Sequence, residues 1–128
     1  MHRTVLTTGL VLVMSSANAS FIDGNKLHEW CVSNQNLVSA YVAGVFDQTQ
    51  TAEFQNEIVR GVLKDKLDAL SKAILAGASK AACIPERVTI TQVRDIVCRY
   101  IAINPDNRHG PASTQAHMAM IKAYPCKR

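Results

Sequence analysis

Thr89-Ile90-Thr91-Gln92-Val93-Arg94-Asp95-Ile96-Val97-Cys98-Arg99-Tyr100-Ile101, residues 89–101, is the stretch that decides the fold. Thr89 followed three residues later by Gln92 is a capping box: the threonine oxygen and the glutamine side chain each satisfy a backbone N–H that a helix start leaves unpaired. Behind it Ile90, Val93, Val97, Tyr100 and Ile101 recur at spacings of three and four, which predicts one buried helical face with Cys98 on its flank. Asn104-Pro105 stops the helix, because proline has no N–H to give and restricts the residue before it.

The same period extends in both directions. Downstream, the loop Asp106-Asn107-Arg108-His109-Gly110 leads to Pro111, which suits the first turn of a last helix. The face of that helix is small (Ala112, Ala116, Ala119, Ala123), with Met120 and Tyr124 to one side, and Met118 and Ile121 turned elsewhere. Pro125-Cys126 ties down the tail. Upstream, Cys83-Ile84-Pro85 is a connector. Between about Ala52 and Ala78, Phe54, Ile58 and Val62 form one stripe, and Leu63, Leu67, Leu70 and Ile74 form a second, rotated one. The change falls beside Gly61, so a kink or two segments are expected there; Gly77 is placed to end the region. The polar run Asp47-Gln48-Thr49-Gln50-Thr51 interrupts the pattern. Before it, a helix starting near Asp23-Gly24-Asn25 carries Leu27, Cys31, Asn34, Val38, Tyr41 and Val45 on one stripe, with Asn34 as a polar member that needs a partner. Ala40, Ala43 and Gly44 make its flank small enough for a neighbouring helix to come close. No segment alternates apolar and polar residues between turn signals. The expectation is an all-α domain: a small helical bundle of about four to five helices.

Met1-His2-Arg3, the apolar run Val5–Met14 and Ser15-Ser16-Ala17-Asn18-Ala19 read as a signal peptide cleaved after Ala19. The run is about half the ~20 apolar residues that cross a bilayer, so no membrane partner is expected once the signal is removed. Residues 1–19 are the signal and residues 20–128 one domain, and the net charge of +4 loses one unit with Arg3. Lys and Arg form no cluster and aromatic residues are few, which argues against nucleic-acid binding.

All four cysteines, Cys31, Cys83, Cys98 and Cys126, lie beyond the signal. An even number in an exported chain implies two disulfides. Three pairings are possible and the sequence does not choose among them; Cys31–Cys83 with Cys98–Cys126 is the mildly preferred one. His28 and Cys31, three apart on one helix, are the closest approach to a metal-ligand pair, and with no C-x-x-C or histidine cluster no metal is expected. The chain lacks G-x-S-x-G, H-E-x-x-H and any glycine-rich phosphate loop, and its cysteines are better used as bridges than as thiolates. The reading is therefore a binding protein, not an enzyme, with no cofactor.

Several segments, taken in order, are familiar: Asp23-Gly24-Asn25-Lys26-Leu27 leading to Glu29-Trp30-Cys31, then Tyr41-Val42-Ala43-Gly44-Val45-Phe46-Asp47 and Cys83-Ile84-Pro85. Val88-Thr89-x-x-Gln92-Val93 with Tyr100-Ile101, Asn104-Pro105 with Arg108-His109, Pro111-Ala112 and Tyr124-Pro125-Cys126 follow. Their order and spacing resemble the Rap/Tai family of bacterial immunity proteins. The resemblance implies a small periplasmic helical domain, often a homodimer. It would protect its cell by plugging the papain-like cleft of a peptidoglycan amidase injected through the type VI secretion system of a sibling. Family members often carry a cysteine just before Tyr-x-x-Gly, where this chain has Val38, so the family's disulfide pattern does not carry over. The stretch between Asp47 and Cys83 is longer and more helical than the family leads one to expect, as either a partner-specific element or scaffold.

Two surfaces are candidates for partner binding. One is the Asn104–Gly110 loop with Asn107, Arg108 and His109, bracketed by Cys98 and Cys126 and held by rigid helices. The other is the charged face of Arg60, Lys64 and Asp68, where Lys64, Asp68 and Lys72 would form an i,i+4 ladder. The competing reading is a general periplasmic helper that holds unfolded clients and has no toxin partner.

Overall fold

A computed structural model describes residues 21–63, 66, 68–78 and 81–126, with only the backbone over 74–78. The signal-peptide reading, Lys64 and Leu67 lie outside the described residues. Five helices, and no strand among the described residues, make up the fold: α1 (Gly24–Ser33), α2 (Gln35–Val62), α3 (Ala69–Ala78), α4 (Ile90–Ile103) and α5 (Ala112–Ala123). A short 3-10 turn, Pro105–Asn107, links the last two.

The core lies where α1, α2, α4 and α5 meet. α1 contributes Leu27, α2 Val38, Val42 and Val45, and α4 Val93, Val97 and Ile101. From α5 come Met120 and the alanines Ala112, Ala116 and Ala119, whose small side chains let that helix lie close to its neighbours. The expected face of α4 is there, with Tyr100 half-buried, but Ile90 in its first turn is exposed. The capping box forms as the sequence predicts: Gln92 N–H donates to Thr89 Oγ1 at 3.3 Å, and Thr89 N–H donates to Gln92 Oε1 at 2.8 Å.

The first stripe is not one helix. Asn34 ends α1, its N–H donating to Trp30 O at 2.8 Å, and starts α2, its side chain accepting from Leu37 N–H at 3.1 Å. An asparagine side chain that can satisfy a helix start competes with continuation through it. Conversely, the polar run 47–51 does not interrupt α2. Thr49 and Thr51 turn their hydroxyls back to Phe46 O (2.7 Å) and Asp47 O (3.0 Å), so the helix runs through to Val62. The break expected beside Gly61 does occur, as the end of α2. Asp68 then caps α3, accepting from Ser71 N–H at 2.7 Å. It precedes that helix, so the expected Lys64–Asp68–Lys72 ladder has no single helix to stand on.

Both bridges form, with a pairing other than the preferred one. Cys31 joins Cys98, and Cys83 joins Cys126, with Cα–Cα distances of 5.6 and 5.0 Å. Packing, which the sequence does not show, decides the pairing. α1 lies against α4, and the backbone of Cys83 donates to Tyr124 O at 2.9 Å, which brings the tail to the connector. Cys31 is therefore no metal ligand, and the His28–Cys31 pair is dissolved as a candidate.

Tyr41 packs edge-on to Trp30, ring centroids 6.1 Å apart, and hydrogen-bonds Ser113, joining α1, α2 and α5. Burial holds its phenol above the usual tyrosine range, with the Ser113 hydrogen bond pulling the other way. The fold thus favours the protonated phenol. Its contribution is intact below about pH 10 and is lost as pH rises through the raised folded-state value. In tyrosinate absorbance, Tyr41→Phe should remove a component that titrates above the usual tyrosine range; loss of only an ordinary component would contradict this.

Candidate partner-binding surfaces

The α4–α5 connection is built from backbone groups that helix ends leave unpaired. Asn104 Nδ2 donates to Tyr100 O at 2.7 Å. Arg108 folds back over the end of α4, its Nε donating to Ile101 O at 2.9 Å and Nη2 to Ala102 O at 2.8 Å. A guanidinium there satisfies orphan carbonyls and meets the negative end of the helix dipole. The loop's own carbonyls then serve α1: Gly24 N–H donates to Gly110 O and Asn25 N–H to Arg108 O, both at 3.0 Å. Ala112 N–H donates to Ile22 O at 3.0 Å, beside an antiparallel bridge between Asp23 and Pro111. Beneath this, Gln115 is 5 % exposed and donates from Nε2 to Asn107 O and Gly110 O.

The loop expected to recognise a partner is therefore first of all the joint between the starts of α1 and α5. Of its three candidates, Arg108 is half-buried and committed to α4, whereas the side chains of Asn107 and His109 are exposed. Arg108→Ala should lower stability by about 1–2 kcal/mol, and His109→Ala should leave it within about 0.5 kcal/mol. Paired urea melts of the two variants measure the difference; equal melts would place Arg108 at the surface. Nothing in the chain marks Gln115 beforehand, because a glutamine on an alanine-rich face carries no sign of a buried hydrogen-bonding role.

The second candidate surface lies elsewhere, on the long excursion between the body and Ala81. α2 has its buried residues at Val38, Val42 and Val45, and none from Phe46 to Val62. Arg60 is exposed near the end of α2, and Asp68 is exposed at the start of α3. The Ser71 backbone and hydroxyl hold the Asp68 carboxyl below the usual range. The larger feature of this excursion is an apolar stripe on α2: Phe54, Ile58 and Val62 are 64 %, 50 % and 76 % exposed. Among the described residues no group of three His, Cys, Asp or Glu could hold a metal ion, and no helix is long and apolar enough to cross a membrane.

No curated protein and no solved structure matches the chain. A family model does. The model for Rap1a immunity proteins matches over residues 23–126, the span from Asp23-Gly24-Asn25 to Tyr124-Pro125-Cys126 that carried the resemblance. The chain belongs to the Rap1a immunity protein family, which implies a role in immunity against a secreted effector protein.

Proposed function

We propose that the protein is a periplasmic immunity protein that binds a peptidoglycan amidase delivered by type VI secretion and occludes its active-site cleft. The observation that carries this reading is the family match across the whole folded domain. Supporting it are the signal-like N-terminus, which would send the chain to the periplasm, and the two disulfides, which an oxidising compartment would maintain. With every cysteine bridged, none is a thiolate nucleophile. Occlusion requires no chemistry from the immunity protein, only a few well-buried contacts and a rim that rejects other hydrolases. The acting form is a homodimer, as the family resemblance implies. His109 and Asn107 are the loop side chains free to meet the effector; His109→Ala should weaken binding with no change in melting temperature.

A second reading, a helper that holds unfolded clients, is favoured by the exposed stripe on α2. One experiment separates the two. Residues 20–128 serve as bait against secreted and periplasmic fractions of the source bacterium and its relatives, and each captured protein is assayed for peptidoglycan cleavage with and without the bait. One dominant hydrolase inhibited at a fixed ratio supports immunity. Many weak partners without inhibition, together with suppressed light scattering by model clients, would replace it with the helper reading.

A further inference from the structure

The two bridges stand in different surroundings. Cys31 and Cys98 face each other from α1 and α4; both are half-buried, and both pack against the hydrophobic core. Cys83 and Cys126 are exposed, and neither lies in a helix. Cys83 stands in the connector by which the excursion carrying α3 returns to the body, directly after the buried Ala81 and Ala82. Cys126 stands just past Tyr124, where α5 has ended. Beside the bridge, Cys83 N–H donates to Tyr124 O at 2.9 Å, and Cys126 Sγ lies 3.3 Å from Ala81 O. The bridge therefore fastens the returning connector to the tail.

We propose that Cys83–Cys126 is a redox-operated latch: a dithiol opens it while Cys31–Cys98 stays closed, and opening parts the tail from the connector with the helical body intact. Thiol–disulfide exchange begins when a thiolate reaches one sulfur of the bridge, so access governs its rate. At Cys83–Cys126 the incoming thiolate bonds one sulfur and the S–S bond breaks. The second thiol of the reagent then displaces that sulfur from the mixed disulfide. The dithiol leaves as a cyclic disulfide, and the two electrons and two protons it has lost are on Cys83 and Cys126 as thiols. Attack on Cys31–Cys98 instead requires α1 to part from α4, which draws Leu27 out of the core and ties reduction to unfolding. Loop size does not separate the bridges: they span 43 and 67 positions, and closure cost grows only with the logarithm of length. The local cost of opening does. Only the exposed Pro125 and Cys126 need swing away at the first, whereas a whole helix must move at the second. The latch lies where the excursion rejoins the body, so its redox state sets how firmly that return is held. The inference is independent of what the protein binds.

The test treats oxidised protein, residues 20–128, with dithiothreitol in native buffer. Samples are quenched with an alkylating reagent, and labelled cysteines are mapped by mass spectrometry. Cys83 and Cys126 are expected to be labelled together, at least about 10-fold faster than Cys31 and Cys98. Circular dichroism of this half-reduced form should match that of the oxidised protein. Hydrogen exchange should speed up over residues 81–84 and 124–126 and not in α1 or α4. The double variant Cys83→Ser with Cys126→Ser should show the same exchange pattern without reductant. Labelling of all four cysteines in one step, or of Cys31 and Cys98 first, overturns the proposal. So does selective reduction that leaves exchange over residues 81–84 unchanged, because the bridge would then hold nothing, and so does faster exchange throughout the body.

Discussion

Replacing Cys31 and Cys98 together by alanine is expected to lower the unfolding free energy by about 4 kcal/mol. The bridge joins residues separated by 67 positions, so it removes much of the freedom of the unfolded chain. It also anchors α1, a helix of ten residues that is too short to persist alone and inserts one fully buried large side chain, Leu27, into the core. For a domain of this size the loss corresponds to roughly 15–25 °C in melting temperature. Removing Cys83–Cys126 should cost less. Both of its residues are exposed, and the tail it holds, after Tyr124, can fray without opening the core. Differential scanning calorimetry of the two double variants decides the ranking, and an equal or larger loss from the Cys83–Cys126 pair would reverse the account of what holds α1.

The second large effect concerns Gly24, and here two principles predict opposite signs. Helix propensity favours alanine over glycine by up to about 1 kcal/mol, and the backbone of Gly24 has no positive φ that would reserve the position for glycine. Space says otherwise. A Cβ at Gly24 would run into the Gln115 side chain and lie 2.9 Å from both Cα and O of Arg108, in the joint that supplies the first N–H groups of α1 with acceptors. Gln115 can yield only by giving up its bonds to the loop, and the Arg108 backbone can yield only by moving the loop. Gly24→Ala is therefore expected to destabilise by about 2–3 kcal/mol. Gly61→Ala, where an added Cβ meets nothing within 4 Å, should be neutral or stabilising. Urea unfolding of the two variants at unchanged m compares them directly. A stabilised Gly24→Ala protein would show that the joint is loose.

The two glycines illustrate what a sequence hides. Asp23-Gly24-Asn25 reads as a helix start and is one, with Asp23 accepting from Lys26 N–H at 2.8 Å. Nothing in those residues reveals that the glycine is there for Arg108, which lies 84 positions along the chain. Arg108 itself reads as a binding residue because it lies in a loop, and loops carry function; its guanidinium is instead used on the carbonyls of α4. Asn34 kept the spacing of the apolar stripe while ending the helix, since a break of one residue barely disturbs a three-four period. The polar run 47–51 misled in the other direction. Five polar residues in a row blank the apolar period for more than a turn, although the helix continues through them.

What the sequence determined alone is whatever is settled within one or two helical turns. The all-α class, the Thr89–Gln92 capping box, the start at Asp23, the break after Gly61 and the buried faces of α4 and α5 are of this kind. Local hydrogen bonds and a 3.6-residue period dictate them, and both are written in neighbouring residues. The tertiary structure alone decided which cysteines pair, why Gly24 has no side chain, where Arg108 spends its charge and which side of α2 stays uncovered. Each of those depends on which helices lie against one another, and that is set by burial summed over the whole core, a quantity no single stretch of the chain contains.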